Sequence, residues 1–217
     1  MAHTVGRHEQ AVEHHDQTVE HHEQKEPRMR ITDTDGTQQG LRNLAPEIVD
    51  AAHGFAGAIY QHTSLPLRLF EAARIETALI NGCMICMNWQ SARDSTNLGP
   101  DGGVTANGPA PDQAFYDTVL ARRTDGLDER EIAAIEYARG MGTNPQGLSG
   151  DEELWSRMKT LFSDPEIVEL TYCIAGWMGL GRVAHVLGTD QACEVPAAAE
   201  GQFEITQSIR AGNPVQL

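Results

Sequence analysis

Glu71-Ala72-Ala73-Arg74-Ile75-Glu76-Thr77-Ala78-Leu79-Ile80-Asn81-Gly82-Cys83-Met84-Ile85-Cys86 is the stretch on which the fold and the chemistry of this chain turn. A helical run ends at a glycine and passes straight into a C-x-x-C pair. Two thiols three positions apart on a helical turn lie on one face, so a disulfide between them can form and break without moving the rest of the fold. Gly82 suits the end of one helix and the start of the next. A helix's first turn lowers thiol pKa, because its unpaired amides stabilise negative charge. Glu71 stands twelve residues before Cys83, so only tertiary folding can bring its carboxylate to the sulfurs.

Outward from this stretch the pattern stays helical. Ile48, Ala51, Ala52, Phe55 and Ile59 recur at spacings of three and four behind Pro46, a first-turn residue. A second helix is expected from about Pro66 to Asn81, and a third opening at the cysteines, with Trp89 and Ala92 facing its core. Leu98 to Pro111 is rich in Gly and Pro and reads as a lid or a disordered insertion. Further helices fit Asp112 to Arg122, Asp128 to Arg139, Ser149 to Phe162 and Ser163 to Leu187. Ser149-x-x-Glu152 and Ser163-x-x-Glu166 have the form of capping boxes. No alternating strand pattern stands out, and the expected class is an all-α helical bundle.

The chain has 217 residues with 40% apolar content, enough for one domain with an ordinary core. Residues 1–40 form a polar, His-rich tail, 41–190 the helical domain, and 191–217 an extended arm that contacts a neighbouring subunit. Within the tail, Ala11 to Gln17 is nearly repeated as Thr18 to Gln24, with too little apolar surface to bury. A solvated tail is the simpler reading; weak transition-metal binding by its paired imidazoles is the alternative. A net charge of −15 argues against nucleic acid and anionic membrane partners. Met1 to His8 has no apolar h-region and no run is long enough to span a bilayer, so a cytoplasmic location is expected. Cysteines there rest reduced, and a C-x-x-C is more often catalytic or metal-binding than structural.

If Cys86 is the attacking sulfur, peroxide oxidises it to a sulfenic acid and Cys83 condenses with it to a disulfide, which an external dithiol must reduce. Glu71 could take the thiol proton if burial raised its pKa. The plainer reading of Glu71 is a salt-bridged helix residue, with Arg68 and Arg74 at neighbouring helical positions. Zinc wants four ligands, and Cys173, Cys193 and His185 are scattered. Haem attachment would require histidine where Met87 stands, and a thioredoxin site belongs after a strand. Trp89 and Trp177 read as core or pocket walls, and His53, His62 and His185 as structural histidines, any of which could approach the cysteines in space.

Leu65-Pro66-Leu67-Arg68-Leu69-Phe70-Glu71 followed by Asn81-Gly82-Cys83-x-x-Cys86 resembles the alkylhydroperoxidase D / carboxymuconolactone decarboxylase superfamily, including the Glu-to-Cys spacing. Phe162 to Leu170, through Trp177 and Arg182, is similar to that family's closing helices. The resemblance implies an all-helical fold assembled as a homotrimer or homohexamer, and a thiol-dependent hydroperoxide reductase with no metal or organic cofactor. By position it makes Glu71 the proton-relay carboxylate, Cys86 the peroxide-attacking cysteine and Cys83 the resolving one. Its implied partners are a small peroxide or related oxidised substrate and an external dithiol, such as a lipoylated or thioredoxin-like protein. Gln90 stands where the redox branch usually has histidine, and Ile85 where a second histidine is often found. An amide can hold a water or orient a thiol but exchanges no proton near neutral pH. The rival expectations are a decarboxylase-like lyase and a non-enzymatic redox-sensing oligomer.

Overall fold

The structure, a computed structural model, describes residues 29–31, 38–95 and 98–189. Helix α1 (Gln38–Leu44) precedes α2 (Pro46–His62), α3 (Leu67–Asn81) and two short helices, α4 (Met84–Asn88) and α5 (Ser91–Asp94). A 3-10 turn (Gly103–Ala106) leads to α6 (Gln113–Leu120), α7 (Glu129–Thr143), α8 (Pro145–Ser149), α9 (Glu152–Leu161) and the long α10 (Asp164–Leu187). The described residues are all-α, with no strand. No described helix is long and apolar enough to cross a membrane. The His-rich repeat and the 191–217 arm lie outside the described residues, although the Arg30 N–H donates to the Leu187 carbonyl at the end of α10.

The central element is α3, which is buried on nearly every side. Its apolar residues face two sides: Leu67, Leu69, Phe70 and Ala73 enter one core cluster with α7, α9 and α10, and Ala72, Ile75, Ala78 and Leu79 enter a second with α4 and α6. Three of those residues are alanines, whose small side chains let the neighbouring helices approach. Phe70 is fully buried, with its ring edge-to-face against Tyr60 at 5.2 Å and Trp177 at 4.6 Å. Truncating such a residue to Ala costs about 3–5 kcal/mol.

A helix this deep must pair its charges, and it does. Arg68 donates to Glu131 at 2.5 Å and lies over the Phe115 ring, and Glu131 itself closes a capping box with Asp128 at the start of α7. Glu76, also fully buried, accepts from Arg139 at 2.9 Å. α3 ends as the sequence suggests, with Gly82 in the left-handed region (φ 68°) and its N–H directed to the Ala78 and Leu79 carbonyls.

Two local expectations need correction. Ser149 opens no capping box: it is the last residue of α8, and Asp151 caps α9 by accepting the Leu154 N–H, because the chain turns once more at Gly150. The capping box at Ser163–Glu166 is present. The Gly/Pro-rich segment, described from Leu98 onward, is a fastened strut and not a lid. Val104 is fully buried, Asn107 donates to the Thr63 and Leu65 carbonyls at 2.8 and 3.1 Å, and the Leu67 N–H donates back to the Asn107 carbonyl. A Cβ on Gly103 would stand 2.5 Å from the Tyr60 carbonyl oxygen, so only glycine lets this backbone lie on α2.

Candidate functional site

Cys83 is the N-cap of α4, and the sulfurs of Cys83 and Cys86 are at bonding distance as a disulfide, with the Cα atoms 5.3 Å apart. The Cys86 N–H donates to Cys83 Sγ at 3.4 Å. Cys83 is fully buried, whereas Cys86 is partly exposed. The disulfide thus joins a buried cysteine to a partly exposed one, and Cys83 Sγ has an N–H donor that stabilises it as a leaving thiolate in exchange. Cys173, the free cysteine among the described residues, is buried elsewhere in the core, and burial pushes its thiol up to about 12.

The pair forms part of the wall of a cavity of about 330 Å³. The rest comes from α2 (Ile59, Tyr60), α3 (Arg74, Ala78, Asn81) and α10 (Trp177, Leu180, Ala184), with Trp89 beyond α4. Trp89 and Trp177 are thus pocket walls. The cavity is predominantly apolar, and among the described residues Arg74 is the one charged side chain that lines it.

Arg74 connects Glu71 to the cysteine helix. Its Nε and one terminal nitrogen donate to the two Glu71 oxygens at 2.7 and 3.0 Å, and its terminal nitrogens reach the Cys86 and Trp89 carbonyls at 2.5 Å each. Both side chains are almost wholly buried. Glu71 also accepts the Ser91 hydroxyl at 2.6 Å. Burial works to raise its carboxyl, but the Arg74 charge and the hydrogen bonds from Arg74 and Ser91 outweigh burial and hold it below the usual carboxylate range. These neighbours favour the ionised carboxylate, and the salt-bridged reading of Glu71 describes its surroundings. Burial pushes the Tyr60 phenol up to about 12, and burial with the Glu71 charge raises Tyr116 further.

These bonds also explain where α4 stops. In a continuing helix the Cys86 carbonyl would accept the Gln90 N–H. Here that carbonyl takes Arg74, while the Gln90 N–H donates to Asp94 at 2.8 Å and Ser91 turns to Glu71. Trp89 and Gln90 are extended, and Gln90 precedes α5 instead of lying one helical turn beyond Cys86. Its side chain donates to Gln113 at 3.3 Å and does not line the cavity. Glu71 does not line it either; its carboxylate is paired with Arg74.

Of the three histidines weighed from sequence, His53 and His62 are exposed on α2. His185 packs its ring on Gly82: a Cβ there would meet the ring carbons and Nε2 at 3.4 Å and beyond. Arg74 was visible in sequence only as one of two neighbours of Glu71. Asn81 and Ser91 carried no signal, since their roles depend on which helices meet.

Comparison with protein-family models, with curated proteins and with solved structures returned no match to this chain.

Proposed function

We propose that the chain is a thiol-dependent hydroperoxide reductase working through the Cys83–Cys86 disulfide. The observation that carries this reading is a disulfide between a buried and a partly exposed cysteine, set in the wall of an apolar cavity. The Cys86 thiolate attacks the terminal oxygen of R–O–O–H. The O–O bond breaks, leaving a sulfenic acid on Cys86 and an alkoxide that gains a proton and departs as the alcohol. The Cys83 thiolate then attacks the Cys86 sulfur, the S–O bond breaks, and water leaves. A dithiol such as a lipoylated or thioredoxin-like protein attacks the Cys86 sulfur and leaves as its own disulfide, restoring both thiols. A reducing cytoplasm would supply it.

In this mechanism Glu71 is an ionised partner that fixes Arg74, and Arg74 holds the carbonyl side of the cysteine helix. Ionised, Glu71 is a weak acceptor for a thiol proton, since Arg74 and Ser91 hold its carboxyl below the usual carboxylate range. The lyase reading has less support: the Arg74 charge is matched by Glu71, which leaves little to hold an anionic lactone.

Assembly as a homotrimer or homohexamer is part of the proposal. Val168, Tyr172, Val183 and Val186 on α10, with Ile48 and Phe55 on α2, are exposed apolar side chains suited to subunit contacts. The test is consumption of an organic hydroperoxide with excess dithiol, in parallel with light-scattering mass. Turnover abolished by Cys86→Ser supports the reading; equal turnover in that variant refutes it.

A further inference from the structure

The alkoxide that leaves in the proposed reaction needs a proton, and neither Glu71 nor Gln90 lines the cavity to give one. The wall itself narrows the choice. Of its polar side chains, the Asn81 amide and the Trp89 and Trp177 indoles do not titrate, and a guanidinium such as Arg74 keeps its proton in proteins. Arg74 is moreover held by Glu71 and by the Cys86 and Trp89 carbonyls. Apart from the two reacting cysteines, Tyr60 is then the one lining side chain among the described residues that can hand over a proton.

Tyr60 is fixed by its neighbours. Its ring lies edge-to-face against Phe70 at 5.2 Å, and Phe70 in turn meets the Trp177 ring. The Trp177 indole, which can only donate, engages the Tyr60 oxygen, so the phenolic hydrogen is left for another acceptor. Burial raises the phenol to about 12 against the opposing Arg74 charge, and the hydroxyl therefore stays protonated between turnovers. The same Arg74 charge steadies the phenolate once its proton has gone.

We propose that Tyr60 is the general acid of this cavity: its O–H gives its proton to the leaving alkoxide while the Cys86 thiolate takes the terminal oxygen of the hydroperoxide. The proposal rests on the hydroperoxide reading and names the proton source that reading needs. As the O–O bond breaks, the alkoxide leaves as the alcohol and Tyr60 becomes a phenolate. The Cys83 thiol, a stronger acid than the phenol, returns a proton to Tyr60 and becomes the thiolate that attacks the sulfenic acid. The proton that Cys86 released on ionising leaves with the hydroxide as water. Such a donor matters for an alkyl hydroperoxide, whose alkoxide is a far stronger base than a phenolate. A peroxy acid, whose leaving carboxylate is stable unprotonated, does not need it.

The experiment measures the oxidation rate of the full reduced chain with cumene hydroperoxide and, separately, with peracetic acid, reading loss of the alkylatable Cys86 thiol by peptide mass. Tyr60→Phe, which keeps the ring and loses the O–H, should slow the cumene hydroperoxide reaction about a hundredfold and the peracetic acid reaction by less than about twofold. Should Tyr60→Phe fail to fold, wild type in heavy water decides: the solvent isotope effect should be larger with cumene hydroperoxide than with peracetic acid. An unchanged ratio of the two rates in folded Tyr60→Phe, or equal isotope effects in wild type, would overturn the proposal and leave the peroxidase reading standing. Reaction of wild type with neither oxidant, or with peracetic acid alone, would remove the peroxidase reading and the proposal with it.

Discussion

Arg74 donates to the backbone carbonyl of Cys86 at 2.5 Å while its remaining donors hold both oxygens of Glu71. A buried ion pair thus sets the end of the helix that carries the paired sulfurs. Removing one partner leaves an uncompensated charge in a fully packed helix.

Glu71→Gln is therefore expected to destabilise the fold by roughly 3–5 kcal/mol, as is Arg74→Met. The double variant should lose clearly less than the two added together, because it leaves neither charge alone. Urea unfolding of the four proteins measures this coupling, and strict additivity would contradict the pairing.

The same pair has a pH signature. The Glu71 carboxyl is held below its ordinary value of 4.5, so its contribution is present above that pH and is lost as pH falls through the folded-state value. Unfolding free energy of wild type should decline on acidification below about pH 4.5 more steeply than that of Glu71→Gln. Parallel profiles for the two proteins would show that Glu71 is not held ionised by the fold.

The fold was legible where chain-local signals decide it. Pro66 and Gly82 bracket α3, Ser163 and Glu166 open α10, and the apolar spacing from Ile48 to Ile59 marks α2. The C-x-x-C at a helix start was legible for the same reason. What periodicity could not convey is competition for hydrogen bonds between distant segments. Arg74 and Asp94 take the partners that would have carried α4 on through Gln90, so a residue placed by spacing next to Cys86 lies off the cavity. The Leu98–Pro111 segment misled similarly, because glycine content signals close backbone approach as readily as mobility, and at Gly103 it means approach to Tyr60.

Gln90→His tests that difference directly. With the side chain directed to Gln113, an imidazole there should change the peroxide-dependent rate by less than about twofold and add no histidine inflection to the pH profile. A large rate gain with such an inflection would mean that the position does reach the sulfurs.

Gly82→Ala should cost about 1–2 kcal/mol, since an L-residue must there adopt φ 68°. The added Cβ would meet the His185 ring only at ordinary van der Waals distance, 3.4 Å, so the His185→Ala background should not relieve the backbone penalty. Thermal unfolding of the two variants and their combination checks both statements; an undiminished wild-type stability in Gly82→Ala would contradict the turn geometry.

The central claim is that Cys86 meets the oxidant and Cys83 resolves it. The most direct measurement is the intact mass and peptide map of the reduced protein after one equivalent of cumene hydroperoxide, for wild type and Cys83→Ser. Wild type should lose two hydrogens as an intramolecular Cys83–Cys86 disulfide, while Cys83→Ser should gain one oxygen on Cys86 as a trappable sulfenic acid. Persistent free thiols in wild type, or oxidation of Cys83 with Cys86 untouched in the Cys86-intact protein, would contradict it.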